Sequence, residues 1–227
     1  MVPAFHRHVL IVPEAAAVSA WVEDDYHHMG VTLHHDGSCV VRVESTMIRA
    51  PWSTCPGAVA QLATSFTGVA LDAVAARGEK TLNCTHLHDM AVIAAAHSCD
   101  AGPMRYALVV SDAVDGVRIA EIARDDRPVL RLVERDKIIA EPVAAAGRTL
   151  FQLGEWIASL DTAAREAARL LRWGAIIAHG RAIPLERQSD ATRMPANCFT
   201  FQEGRKHNAV RVGRIVDFSA DATQPLA

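Results

Sequence analysis

Hydrophobic and polar positions alternate over residues 29–35, with Met29, Val31 and Leu33 on one side and His28, Thr32 and His34 on the other. A period of two predicts a half-buried strand. Asp36-Gly37 supplies a hairpin turn, residues 39–43 the return strand, and His34 and His35 flank the turn as exposed residues. Upstream, residues 18–23 have strand character and run into Asp24-Asp25-Tyr26-His27-His28, whose acidic part, Glu23 included, reads as a solvated turn with one member available as a general base or hard ligand. Arg49-Ala50-Pro51-Trp52 closes this sheet region. The period then lengthens. Val59, Leu62, Ala63 and Phe66 form the inner stripe of a helix with Ser53 or Thr54 as cap, Cys55 and Pro56 in its first turn and Gly68 beyond its end.

A second helix opens near Cys84, with Asn83 or Thr85 as cap, and ends near Ser98 ahead of Gly102-Pro103. Three strands are predicted at 106–111, 117–124 and 129–134, and a fourth at 137–141. Residues 151–160 have a helical pattern. A longer helix runs from its cap, Asp161, to His179, with Ala164, Ala167, Leu170, Leu171, Gly174 and Ile177 inward and Gly180 closing it. Residues 197–202 and 210–218 are read as closing strands. These elements predict an α+β fold, an antiparallel sheet with an N-terminal hairpin and packed helices. Residues 1–17 form an arm and 18–227 one domain; the alternative is two lobes, 18–102 for the site and 103–227 for the pocket.

Composition narrows the function. The chain has 227 residues, half of them apolar, enough for a core that needs no staples. A net charge of −3 speaks against a general nucleic-acid binder. Five irregularly spaced cysteines fit a reducing cytoplasm better than a disulfide framework. Pro13 and Glu14 interrupt the N-terminal apolar stretch, a poor signal-peptide core, and nothing reaches the run of about 18 apolar residues that a membrane helix needs. The expectation is a cytoplasmic protein acting on a small molecule, with a homodimer as the default assembly.

The chemistry concentrates in Asn83-Cys84-Thr85-His86-Leu87-His88-Asp89. A helix N-terminus favours thiolate, and thiolate and imidazole suit zinc. His27, Cys55, Cys84 and His86 are the candidate metal ligands; buried thiols acting as small hydrophobes are the plainer alternative. His86, His28 and Asp89 are the candidate catalytic groups, Asp89 orienting an imidazole or serving the helix dipole. Trp52, Tyr26, Arg205 and Arg211 are candidate substrate contacts, the arginines for a carboxylate or phosphate. Trp156, Trp173, Phe199 and Phe201 can add to an apolar pocket. Cys39 and Cys99 read as packing, and Cys198 as a reserve ligand. The sequence contains no Gly-rich phosphate loop, Gly-x-Ser-x-Gly elbow or His-Glu-x-x-His helix.

Tyr26-His27-His28-Met29, Cys55-Pro56 and Asn83-Cys84-Thr85-His86-Leu87, with Cys198-Phe199-Thr200-Phe201 later on, resemble the bacterial family called domain of unknown function 2889, from about Val18 to Ser219. On the matching positions the resemblance points to His27, Cys55, Cys84 and His86 and carries no established activity. The order of strands, Cys55 helix and Cys84 helix is remotely similar to the iron–sulfur scaffold fold, with His27 where those scaffolds use cysteine. That likeness implies a similar metal-site core, extended here by further strands and C-terminal helices.

The leading expectation is a metal-dependent enzyme, with zinc held by His27, Cys55 and Cys84 and with His86 as fourth ligand or acid–base group. It performs a lytic or hydrolytic step on a small hydrophobic or aromatic molecule in catabolism. The alternatives are a non-catalytic metal or iron–sulfur carrier and a metal-free acid–base lyase using His27 and His86.

Overall fold

The computed structural model describes residues 3–220 and 223–227. The alternation at the front of the chain is longer than its polar residues suggest. Phe5, Arg7, Val9 and Ile11 all face inward and are buried, and β1 spans Ala4–Glu14. β2 (Ala17–Asp24), β3 (His28–His35) and β4 (Val40–Arg49) continue from it as one meander. β5 (Met104–Ser111), β6 (Val117–Arg124), β7 (Arg127–Arg135) and β8 (Ile138–Glu141) make a second. β1 pairs with both β2 and β5, so the meanders fuse into a single eight-stranded antiparallel sheet of order β4-β3-β2-β1-β5-β6-β7-β8. The expected arm over 1–17 is therefore corrected: residues 4–14 are an interior strand. The sheet also runs unbroken across the Gly102 break.

Helices cover one face of this sheet. That face carries Val9, Ile11, Val18, Ala20, Val22, Met29, Val31 and Leu33, all essentially sealed from solvent. α1 (Ala58–Phe66) packs on β4, α2 (Thr85–Ala96) on β2 and β3 with its reach extending to β1, and the short α3 (Gly154–Ser159) lies against α4 (Thr162–Ala178), which packs on β5, β6 and β7. Gly68 takes a left-handed φ of +81° just after α1, a conformation that glycine adopts without penalty. α4 starts where expected, with Asp161 accepting from the Ala164 amide at 2.9 Å. On the other face Trp21 lies flat over Gly30, where a Cβ would sit 2.3 Å from the indole.

Several details depart from the sequence reading. Residues 197–202 are no strand: Phe199–Phe201 is a 3₁₀ turn whose Phe199 amide donates to the Asn83 carbonyl. Residues 210–218 form no ladder either. Their backbone bonds go to Ser53, Pro51 and Asp25, leaving only an isolated bridge between Trp52 and Arg211. Asp24 and Asp25 are buried, as is His35, and Cys99 is exposed.

Candidate functional site

The site begins with a register. Arg7 on β1 and Asp24 at the end of β2 are direct cross-strand partners on the helix-covered face, 1% and 0% exposed. Arg7 Nε donates to Asp24 Oδ2 at 2.8 Å and its Nη2 bonds the same oxygen. Asp24 Oδ1 accepts from the amides of Tyr26 and His27 at 2.8 and 2.9 Å, shaping the β2–β3 turn. The same oxygen lies 3.0 Å from His27 Nδ1. A carboxylate partner fixes the proton on Nδ1 and leaves the lone pair on Nε2. Burial alone would raise the Asp24 carboxyl, but Arg7 and then His27 overcome it and hold it well below the usual carboxylate range.

α2 brings the second imidazole. Cys84, not Asn83 or Thr85, occupies the N-cap in an extended conformation, and His86 follows in the first turn. The His86 ring stacks on His27 with centroids 3.8 Å apart and lies 4.4 Å from Trp173 of α4. Arg7 Nη2 is 3.1 Å from His86 Nε2. A guanidinium only donates, so Nε2 accepts and the proton sits on Nδ1. Burial, then the nearby His27 and Arg7, push the His86 pKa well below its ordinary value. His86 is thus a neutral imidazole, and one arginine organises both histidines.

The two histidines line a cavity of about 510 Å³. Its walls are mostly apolar, with Trp52, Tyr26, Trp173, Phe199 and Phe201 contributing rings. Cys55, Cys84 and Cys198 also line it. Burial raises all three thiols, Cys84 to about 12, so each keeps its proton. Cys55 Sγ is 3.4 Å from Thr200 Oγ1, and Cys84 Sγ 4.0 Å from Met29 Sδ. Among the described residues, the metal-capable atoms within 4.8 Å of one another belong to Asp24, His27 and His86; neither Cys55 nor Cys84 joins that group.

Other candidate residues fall elsewhere. His28 turns away from the cavity: its Nδ1 is 3.2 Å from Glu23, and it lines a separate hollow with Arg49 and Phe218. Asp89 pairs with Lys80 at 2.6 Å and orients no imidazole; His88 Nδ1 is 3.9 Å away. Arg205 lies 3.8 Å over the Phe199 ring and does not line the cavity. Trp52, Tyr26 and Arg211 all do. Nothing in the sequence marks Arg7, whose role exists only through pairing with a residue in another strand.

Fold and site together define an α+β protein whose helix-covered sheet face carries a buried Arg–Asp–His cluster opening on an apolar cavity. Residues 12–99 match the family described as "Protein of unknown function (DUF2889)". The matched segment contains Asp24, His27, Cys55, Cys84 and His86 and stops short of Trp173 and Arg211. No curated protein matches the chain. Among the described residues no helix is long and apolar enough to cross a membrane.

Proposed function

We propose that the protein is an enzyme that performs a lytic or hydrolytic step on a small hydrophobic or aromatic molecule, with His27 as general base and neutral His86 as hydrogen-bond donor. The observation that carries this is the Arg7–Asp24–His27 chain, which holds one imidazole tautomer at the wall of an apolar cavity. A base so oriented keeps its lone pair on Nε2, and Asp24 stabilises the imidazolium formed when it takes a proton. His86 Nδ1–H can polarise a substrate oxygen as a neutral donor. The test is a turnover screen of small aryl esters, hydroxy acids and retro-aldol substrates. His27→Gln is expected to lose about 10²–10⁴-fold in rate. An undiminished His27→Gln enzyme would sink the proposal.

A second reading has its own support: two thiols, Cys55 and Cys84, share the cavity with an imidazole whose Nδ1 is held by a carboxylate, the usual outer partner of a metal-bound histidine. In this reading His27, Cys55 and Cys84 would hold zinc, with iron or an iron–sulfur group as the runner-up, once the two thiols move in toward the imidazole, from which they stand apart here. The metal would supply Lewis-acid chemistry. His86 becomes a ligand through Nε2 only by releasing Arg7. The scaffold-like core of the sequence reading belongs with this alternative. Metal content per chain, in protein purified without chelators, separates the two. One zinc per chain, lost in Cys55→Ser together with activity, selects the metal enzyme. Turnover that survives exhaustive chelation selects proton transfer alone, and iron with sulfide selects a carrier.

A further inference from the structure

The charge pattern of the cavity points beyond its chemistry to its ligand. Among the described residues, no aspartate or glutamate lines it, whereas Lys80, Arg187 and Arg211 do. Two of these cations are accounted for: Lys80 is held by Asp89, and Arg187 is exposed. Arg211 is different. Its Nε is buried without a hydrogen-bond partner, and no carboxylate of the described residues pairs with it. Its guanidinium carbon lies 5.8 Å from the Trp52 ring and 5.9 Å from the Tyr26 ring.

The placement is built by the backbone. The bridge between Trp52 and Arg211 sets their side chains as neighbours, and the Val212 and Gly213 amides both donate to the Pro51 carbonyl. At Gly213 a Cβ would meet the Ala50 carbonyl oxygen at 2.5 Å, so only glycine allows this approach. Only Nε is sealed from water; the half-buried guanidinium keeps its other nitrogens accessible and without a counterion among the described residues, so an entering anion finds the fork free. Aromatic faces on either flank leave its planar fork as the polar group of an apolar wall.

We propose that Arg211 is the anion anchor of the cavity and that the substrate is an aryl or similarly apolar carboxylate, its carboxylate forked by Arg211 and its apolar body reaching toward His27. The Tyr26 ring neighbours both groups, 5.9 Å from the Arg211 guanidinium carbon and 6.2 Å from the His27 ring, which puts anchor and base on the same stretch of cavity wall. This rests on the cavity being the substrate site, as proposed above, and it adds the chemical class that the site selects.

Equilibrium binding tests it without turnover. Tryptophan fluorescence is titrated with trans-cinnamate, 3-phenylpropionate and phenylacetate, each beside its uncharged primary amide. The wild-type protein is expected to bind at least one carboxylate ten-fold or more tighter than its amide, Arg211→Gln to lose that preference, and Arg211→Lys to keep part of it. Arg187→Gln is expected to retain it. Far-UV circular dichroism and the thermal midpoint establish that each variant is folded. Equal binding of acid and amide, no binding of any acid, or an unchanged preference in folded Arg211→Gln each overturns the proposal. The anchor is read from the ratio of acid to amide binding and the base from turnover, so failure of the base assignment shows in turnover while failure of the anchor shows in that ratio.

Discussion

Arg7 and Asp24 make up a buried ion pair whose partners are both hydrogen-bonded, and the cost of breaking it is asymmetric. Asp24→Asn leaves the guanidinium in the core without its charge partner, and such one-sided removal destabilises by about 3–5 kcal/mol. Urea denaturation is expected to show a loss of that order; a loss under about 1 kcal/mol would mean that water reaches Arg7. The pair also sets a pH response. The folded pKa of Asp24 lies below its unfolded value, so its contribution is complete above about pH 3.9 and is lost as the pH falls through the folded pKa. His86 acts earlier. Its folded pKa is lowered too, so below about pH 6.5 the unfolded chain takes up a proton that the native state refuses. His6 and His8, also lowered by burial, act in the same direction. Asp25, raised to about 7 by burial, and His97, raised by its bond to Glu166, act the other way, so the readable quantity is a difference: between pH 7 and pH 5 the urea midpoint of the wild-type protein should fall relative to that of His86→Gln. Parallel profiles for the two proteins would contradict the neutral, buried His86. At this scale His27 and His86 were legible from residue type and motif. Their organiser was not, because the contact between Arg7 and Asp24 exists only in the β1–β2 register.

Elements with a clean period and a chemical stop announced themselves. α1 ends at Phe66 because Gly68 follows, and α4 begins at Thr162 because Asp161 caps it. Asp161→Ala is expected to cost about 1 kcal/mol and to lower the thermal midpoint without altering ligand binding, since Trp173 lies three turns further on. No change in the midpoint would show that packing alone fixes the helix start. β1 stayed hidden because His6, Arg7 and His8 interrupt an otherwise apolar strand, and an inward arginine reads as an error until its partner is known. The reverse holds at 197–202 and 210–218. Alternating apolar residues there suggested strands, but the backbone is already committed to Asn83, Ser53, Pro51 and Asp25. Those contacts, not a sheet ladder, deliver Arg211 to the cavity. Pattern alone carries no information about which distant carbonyl a loop will find.

For the whole molecule, β1 is the seam. With one sheet running through both meanders and one main helix-covered core, beside a small cluster of Trp52, Ala191 and Phe201, the chain is expected to unfold in a single step. Tryptophan emission, which samples Trp21, Trp52, Trp156 and Trp173, and far-UV dichroism should give coincident urea transitions. Two separated transitions would mean that the sheet can divide at β1.

The position of that strand also matters during synthesis. β1 finds β2 as soon as both leave the ribosome, but its other edge waits for β5, whose register pairs Ala4 with Ser111. At about 5–20 residues per second, translating from Asp24 to Met104 takes on the order of 4–16 s. Throughout that interval the free edge of β1 displays Phe5, Val9 and Ile11 on a strand with unpaired amides, the kind of edge on which strands from other chains add. The nascent hairpin is therefore expected to need shielding before it becomes the middle of a sheet, and slowing translation between the two meanders should lower the yield of soluble protein.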